Sequence, residues 1–344
     1  MAEAFQQRVM GLFESSGTVM GLALGGDLGL FKAMADLNRP FTSEELARAT
    51  SCKERYIREW LGFMACSDIV GYDTESEKFF VEKEKLSCLS GILPLSVGVV
   101  SVIGQRQPLL RECFKLGGPD GIDQNVSNDF GKWLGNVRGG SFEQALESRI
   151  LGEVPNMKEK LESGITMADV GCGTGLMALM IAERFPNSTV WALDVSEELL
   201  NLGRQGAKKK NLQNVHFEYA DAHNFSEKWA AKLDYIFCYD VIHDLPFPRV
   251  ALEQIYKSLK DGGVFSMLEP NVHSSLKDNL EHRHSADTYF FSLYFCLPHS
   301  LSVPGGDGWG RTMGEERGGQ FVREAGFKDF KVYHDDMNHF VCYK

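Results

Sequence analysis

The sequence predicts an α/β protein: a doubly wound, largely parallel sheet with a closing antiparallel strand, preceded by an α-rich winged-helix domain. Three observations predict it. From Leu161 onward short apolar strands alternate with amphipathic helices, the texture of a parallel sheet covered on both faces. The chain ends in a closing pair of strands, Phe330–Tyr333 and Phe340–Tyr343. Before residue 90, helix, helix and hairpin follow one another in the order of a winged helix-turn-helix.

A chain of 344 residues has room for about two domains. We divide it into a winged-helix domain at 1–90, a helical connector at 91–155 and a sheet domain at 156–344. Hydrophobic residues at 43% and charged residues at 24% suit a globular protein and exclude disorder or a coiled coil. The net charge of −11 argues against nucleic acid as a partner, since phosphate binding needs a concentrated positive field. Eight cysteines include no C-x-x-C pair, so reduced and mostly buried thiols are expected. The N-terminus lacks the apolar core of a secretory signal. The most apolar stretch, Gly91 to Gly104, is shorter than the roughly 20 residues a bilayer requires and reads as a buried helix. A cytoplasmic protein with no membrane partner is the expectation.

From Met1 to Leu37 the pattern is helical. Val9, Leu12, Phe13, Met20, Leu24, Leu28 and Phe31 recur as one helix stripe expected to be buried. Thr42 and Glu45 form a capping box that opens a helix. A second amphipathic helix covers Lys53 to Cys66, with Tyr56, Ile57, Trp60, Leu61 and Met64 on one side. The run IVGYDTESEKFFVEK then reads as a hairpin. DNA binding would need basic side chains along the second helix. Glu54 and Glu59 interrupt Lys53, Arg55 and Arg58 there, and the hairpin tip carries Asp73, Glu75 and Glu77. Dimerisation and covering of an active site is the better reading, so a homodimer through this domain is expected.

The connector is helical with breaks at Gly117-Gly118-Pro119 and Gly139-Gly140. Its aromatic residues wall a pocket or simply pack between domains. Beyond it come strands Thr166–Val170, Thr189–Asp194, Val215–Tyr219, Tyr235–Tyr239 and Val264–Leu268, separated by helices Leu176–Arg184, Glu197–Lys208 and Arg249–Leu259. After Glu269 an irregular aromatic and glycine-rich insertion leads to helix Glu315–Ala325.

The most informative stretch is ADVGCGTGLMALMIAERF. A strand ends in Asp169-Val170, and Gly171, Gly173 and Gly175 turn it into a helix, letting the backbone approach a ligand closely. A dinucleotide fingerprint would place its third glycine at 176, where this chain has Leu176. There is no phosphate loop of the G-x-x-x-x-G-K-[ST] type. Asp194 ends the second strand, followed by Val195, where a carboxylate can take both ribose hydroxyls. Asp221 and Ala222 follow the third strand, suitably placed for an adenine amino group and ring.

The run DVGCGTG, with ALDVS and DAHNF after it, resembles the cofactor motifs of class I S-adenosylmethionine-dependent methyltransferases. With the winged helix in front, the chain resembles plant-type small-molecule O-methyltransferases and a bacterial and nematode winged-helix methyltransferase group. The resemblance covers nearly the whole chain. It implies a Rossmann-like sheet, S-adenosyl-L-methionine as cofactor, and methyl transfer to a hydroxyl or thiol of a small molecule. In the plant type a His-Asp pair supplies the general base, which here implies His243 and Asp244. Glu269 matches a carboxylate that flanks and orients the base, and Tyr239 a residue lining the cofactor pocket. Leu245-Pro246 departs from the plant pattern after the pair, which leaves the acceptor open among O, S and N. Two other readings remain: a cofactor-sensing transcription regulator, and an N-methyltransferase that works by alignment without a base.

Trp133, Arg138, Tyr289 and Trp309 are candidates to shape a substrate pocket. Glu281-His282-Arg283-His284 reads as a solvated helix, whose H-x-H spacing points two rings about 200° apart and does not suit a metal. No metal site is expected. Cys172 and Cys238 read as packing residues.

Overall fold

A computed structural model describes residues 1–123 and 129–344, which divide into two compact units, Met1–Gln105 and Arg106–Lys344. The first unit opens with α1, Ala2–Asp27, followed by α2, Leu30–Leu37, α3, Ser43–Thr50, and α4, Glu54–Cys66. Thr42 caps α3 through the expected box: its hydroxyl accepts the Glu45 N–H, and the Glu45 carboxylate accepts the Thr42 N–H. The hairpin is β1, Gly71–Asp73, paired antiparallel with β2, Lys78–Phe80, and Phe41 bridges to Phe79 beside it. Leu30, Phe31, Met34, Leu46, Ile57, Leu61 and Met64 fill the core beneath.

Two expectations for this unit are corrected. The α1 stripe is not buried by its own chain: Val9, Leu12, Phe13, Met20, Leu24 and Leu28 are exposed, and only Phe31, on α2, is buried. The positions of α1 that do face inward are Gly21, Ala23 and Gly25, with the Trp60 indole donating to the Gly21 carbonyl at 2.9 Å. The stretch Gly91 to Gly104 is not one buried helix either. Pro94 opens a short helix, Leu93–Val97, a second runs over Val99–Cys113, and Ile92, Leu93 and Leu95 are exposed. Among the described residues no single helix is long and apolar enough to cross a membrane.

The second unit is built on a seven-stranded sheet. Its strands are β3 (Thr166–Val170), β4 (Thr189–Asp194), β5 (Val215–Tyr219), β6 (Leu233–Tyr239), β7 (Leu259–Pro270), β8 (Asp329–His334) and β9 (Met337–Tyr343). They lie in the order β5-β4-β3-β6-β7-β9-β8, parallel from β3 to β7, with β9 antiparallel to both β7 and β8. The chain steps outward from β3 to β5, then returns to the other side of β3 at β6. That reversal opens a crevice at the carboxyl ends of β3 and β6, where open α/β sheets take ligands. Alternation along each strand feeds two cores: Met167, Tyr235 and Phe237 face one side, and Ala168, Ile236 and Cys238 the other.

Helices Leu176–Arg184, Glu197–Lys209, Pro248–Ser258 and Gly314–Glu324 cover the sheet. The third starts one residue early because Pro248 occupies its first turn, where a proline costs no hydrogen bond. It stops before Leu259 because that residue already pairs with Leu233, so β7 is longer than expected at both ends. The connector forms helices Asp129–Val137 and Gly139–Ala145, with a π-turn at Leu146–Ile150. The break there falls at Arg138, and the two glycines open the next helix. Residues Glu281 to His284 form a bend and turn rather than a helix, with His284 in the left-handed region at φ 68° ahead of helix Ser285–Phe291. His282 and His284 are therefore not held about 200° apart by a helix.

Candidate active site

The glycine loop leaves β3 at Val170. Gly171, Gly173 and Gly175 all have positive φ, at 73°, 56° and 68°. A Cβ on Gly175 would sit 2.2 Å from the Phe217 ring, and one on Gly171 would sit 2.6 Å from Val241, so both positions exclude side chains by contact as well as by conformation. At Gly173 nothing lies within 4 Å of a Cβ, so this peptide borders open space. Asp194 holds the loop in shape. Its Oδ2 accepts the Gly173 N–H at 2.8 Å and its Oδ1 accepts the Ser196 N–H at 2.9 Å. Burial pushes the Asp194 carboxyl above its ordinary range, opposed by the N–H groups of Gly173, Ser196 and Val195. Asp169, buried beneath the loop, is pushed up to about 7 by burial and by the Asp194 charge.

Asp221 follows β5, next to the Asp194 end of β4, and is partly exposed. It accepts the His223 N–H at 2.9 Å and meets the His223 Nδ1 at 2.6 Å. Ala222 is buried, and a surface hollow bordered by Tyr219, Asp221 and Asn224 opens beside it. Tyr239, at the end of β6, packs edge-on against Phe142 at 5.0 Å, with the Arg138 guanidinium 5.3 Å from its ring centre. The nine residues expected around a cofactor thus line the carboxyl ends of β3, β4, β5 and β6.

One short turn beyond β6, Ile242–Asp244, carries His243, which is 1% exposed. Its Nδ1 meets Glu269 Oε2, while Glu269 Oε1 accepts the Ile242 N–H at 2.9 Å. The second ring nitrogen, Nε2, lies 3.2 Å from Asp244 Oδ1, and neither atom has a well-directed hydrogen bond among the described residues. Burial disfavours the charged imidazole, but the Glu269 and Asp244 carboxylates outweigh it and hold its pKa well above the ordinary value. Cys296 completes the surroundings, its ligand atom within 4.8 Å of those of His243 and Asp244. Three donors of this kind would suit a divalent ion such as zinc. A proton between Nε2 and the carboxylate satisfies the same atoms. Burial pushes the Cys296 thiol up to about 12, so it stays protonated.

Sequence reasoning missed Asp240 and Arg311. Asp240 takes a left-handed φ of 60° and accepts from Arg138 and, at 2.7 Å, from Arg311. Burial would raise its pKa, yet the two guanidinium groups hold it well below the ordinary carboxylate range. The left-handed strand exit and its ion pairs set the direction in which the chain reaches His243. Arg311 lies in the glycine-rich insertion, where no periodicity marks it. Of the pocket candidates, Trp133 joins the aromatic cluster of Phe130, Phe291 and Phe295. Trp309 packs instead on Phe321 and Arg317, and Tyr289 is part-exposed. The Cys172 and Cys238 thiols are raised well above their ordinary value, chiefly by burial, which makes both poor nucleophiles.

Comparison with known proteins points to the same fold. Residues 161–318 match a family described as "Methyltransferase domain", and residues 16–91 an "Rv2258c-like winged HTH domain". The ubiquinone biosynthesis O-methyltransferase of Acinetobacter baumannii is 28% identical over 116 residues, 33% of this chain and 48% of that protein. The chain spans about half the length of the curated relatives it matches. Among solved structures, a putative O-methyltransferase from Nostoc punctiforme superposes with a TM-score of 0.71 at 16% identity, covering 99% of this chain and 98% of that one. Human N-acetylserotonin methyltransferase, crystallised with S-adenosylmethionine, gives 0.70 at 16% identity over 98% and 97% of the two chains. At that identity the likeness speaks for the fold.

Proposed function

The chain belongs to the class I S-adenosylmethionine-dependent methyltransferases with an N-terminal winged-helix domain, and from that premise we propose that it methylates a hydroxyl or thiol of a small molecule. The observation that carries this reading is the buried His243–Glu269 pair at the carboxyl end of β6, two residues beyond Val241, which packs on Gly171 of the loop. When bound, S-adenosylmethionine supplies a methyl group on a sulfonium that is already a good leaving group. The residues fit such a molecule: Gly173 borders open space, and Asp194 and Asp221 offer carboxylates on neighbouring strand ends. Asp169, Gly171, Gly175, Val195, Ala222 and Tyr239 complete the set that would hold it.

The acceptor must lose a proton as it attacks. We assign that proton to His243 Nε2, with Glu269 fixing the tautomer through Nδ1 and Asp244 stabilising the imidazolium from the other side. Positioning supplies most of the rate, and base assistance is the smaller part. The division at 1–90, 91–155 and 156–344 and a homodimer through the first domain belong to the same proposal.

The test is a panel of catechols, phenols, thiols and amines, reading out S-adenosylhomocysteine. Turnover of a phenol or thiol that falls at least a hundredfold in His243→Ala supports the reading. Turnover confined to amines and indifferent to that substitution would replace it with alignment alone.

A further inference from the structure

Resting on that reading, we propose that Arg106 anchors a carboxylate on the acceptor, so that the enzyme takes planar aromatic acids. Arg106 is 5% exposed. Its Nε donates to the Tyr294 carbonyl at 3.1 Å, and its guanidinium lies 5.1 Å from the centre of the Phe295 ring. A guanidinium carries five N–H donors, and here one is used. The two Nη groups have no acceptor, and no carboxylate forms an ion pair with them, among the described residues. The other buried charges of this unit are treated differently. Arg149, equally buried, is paired with Glu153 and Asp336, and Arg311 is paired with Asp240. A buried cation without an ionic partner is costly, and the cost is recovered when an anion meets it.

The position of Arg106 says where that anion sits. Tyr294 and Phe295, which receive the guanidinium, share one π-turn, Ser292–Cys296, with Cys296. Cys296 touches the His243–Asp244 pair, so a single turn joins the free cation to the proposed base. Phe295 also stacks against Phe130 at 3.8 Å with the rings 14° apart, and Phe130 in turn stacks with Trp133 at 5.6 Å. A flat ring suits this aromatic wall. The bond from Nε to Tyr294 leaves Nη1 and Nη2 as an end-on fork, the geometry that takes both oxygens of a carboxylate. Asp244 lies within electrostatic reach of Arg106, yet its near partner is His243 Nε2, which leaves the fork free.

The experiment uses the full chain, with and without S-adenosylhomocysteine, and titrates benzoate and benzamide by calorimetry. Neither probe carries an acceptor hydroxyl or thiol, so the result does not depend on turnover. Unmodified protein is expected to bind benzoate at least tenfold more tightly than benzamide. Arg106→Gln should abolish that preference and Arg106→Lys retain part of it, with S-adenosylhomocysteine affinity unchanged in both. Equal binding of the two probes, no benzoate binding at millimolar concentration, or a preference that survives Arg106→Gln would each overturn the assignment. The comparison on unmodified protein stands even if a variant fails to fold. If S-adenosylhomocysteine itself does not bind, the methyltransferase reading fails, and the benzoate preference is still read separately.

Discussion

His243 and Glu269 share one hydrogen-bonded unit: a single carboxylate receives the imidazole Nδ1 on one oxygen and the Ile242 backbone N–H on the other. The backbone bond fixes the carboxylate, and the carboxylate fixes the ring. With Nδ1 committed to Glu269, Nε2 is the nitrogen left for the proposed proton exchange, and Asp244 stands beside it. Two carboxylates around one buried ring favour its charged form, which sets how the site should respond to pH.

A base acts in its deprotonated form, so turnover should rise as pH climbs through the His243 pKa. That pKa is raised, so the acidic limb of kcat should lie above the ordinary imidazole value of about 6.5. Glu269→Gln removes the charge while keeping an acceptor for the Ile242 N–H. The limb should then move down toward that value. Turnover should fall as well, because the amide no longer enforces the tautomer; the corresponding loss in a serine-protease triad reaches about 10⁴. A limb that does not move when Glu269 is neutralised would detach Glu269 from the titrating group.

Removing the ring itself should cost more for some acceptors than for others. His243→Ala is expected to lower kcat by about 10²–10⁴ with a phenol, with cofactor affinity little changed. An acidic thiol, already ionised in solution, should lose less, and the phenol defect should shrink at high pH. Steady-state kinetics on the pair of acceptors measures this. Loss of cofactor affinity along with turnover would assign His243 to the floor of the cofactor site.

Asp194 bonds the loop through Gly173 and Ser196 and is the carboxylate proposed to take the ribose. Hydrogen bonds to a charged group contribute about 1.5–3 kcal/mol each, so Asp194→Ala should weaken S-adenosylmethionine binding by about 10- to 150-fold. Asp194→Asn keeps one loop acceptor and should bind the cofactor with intermediate affinity. Circular dichroism should show the fold intact in both. Calorimetry giving unchanged affinity for the alanine variant would remove Asp194 from the site.

The parts of this molecule legible in the sequence are those governed by neighbours along the chain. The Thr42 box marks the start of α3, and β3, β4 and β5 fall on the expected residues because each is an apolar run bounded by turns. The glycine loop and the carboxylates at strand ends were equally readable, since strand register places them. Arg106, Asp240, Cys296 and Arg311 were not, because their meaning lies in partners more than 50 positions away or in the lack of one. The Leu12–Phe13 stripe shows a further limit: periodicity tells which face of a helix is apolar, not what covers it.

That stripe carries the last expectation. On α1, Phe5, Leu12 and Phe13 are 65%, 61% and 71% exposed, and Val9, Met20 and Leu24 extend the same apolar surface. Fully burying one such side chain is worth about 1.5–3 kcal/mol, so a surface of six gains enough to hold two copies together. A continuous apolar strip of this length is the kind of surface that marks an interaction site. The protein should therefore sediment as a dimer at micromolar concentration. Leu12→Glu with Phe13→Glu should give a monomer whose second unit keeps its melting transition, because neither residue contributes to a core of its own chain. A monomer for the unmodified protein would refute dimerisation, and a dimer that survives both charges would move the interface away from α1.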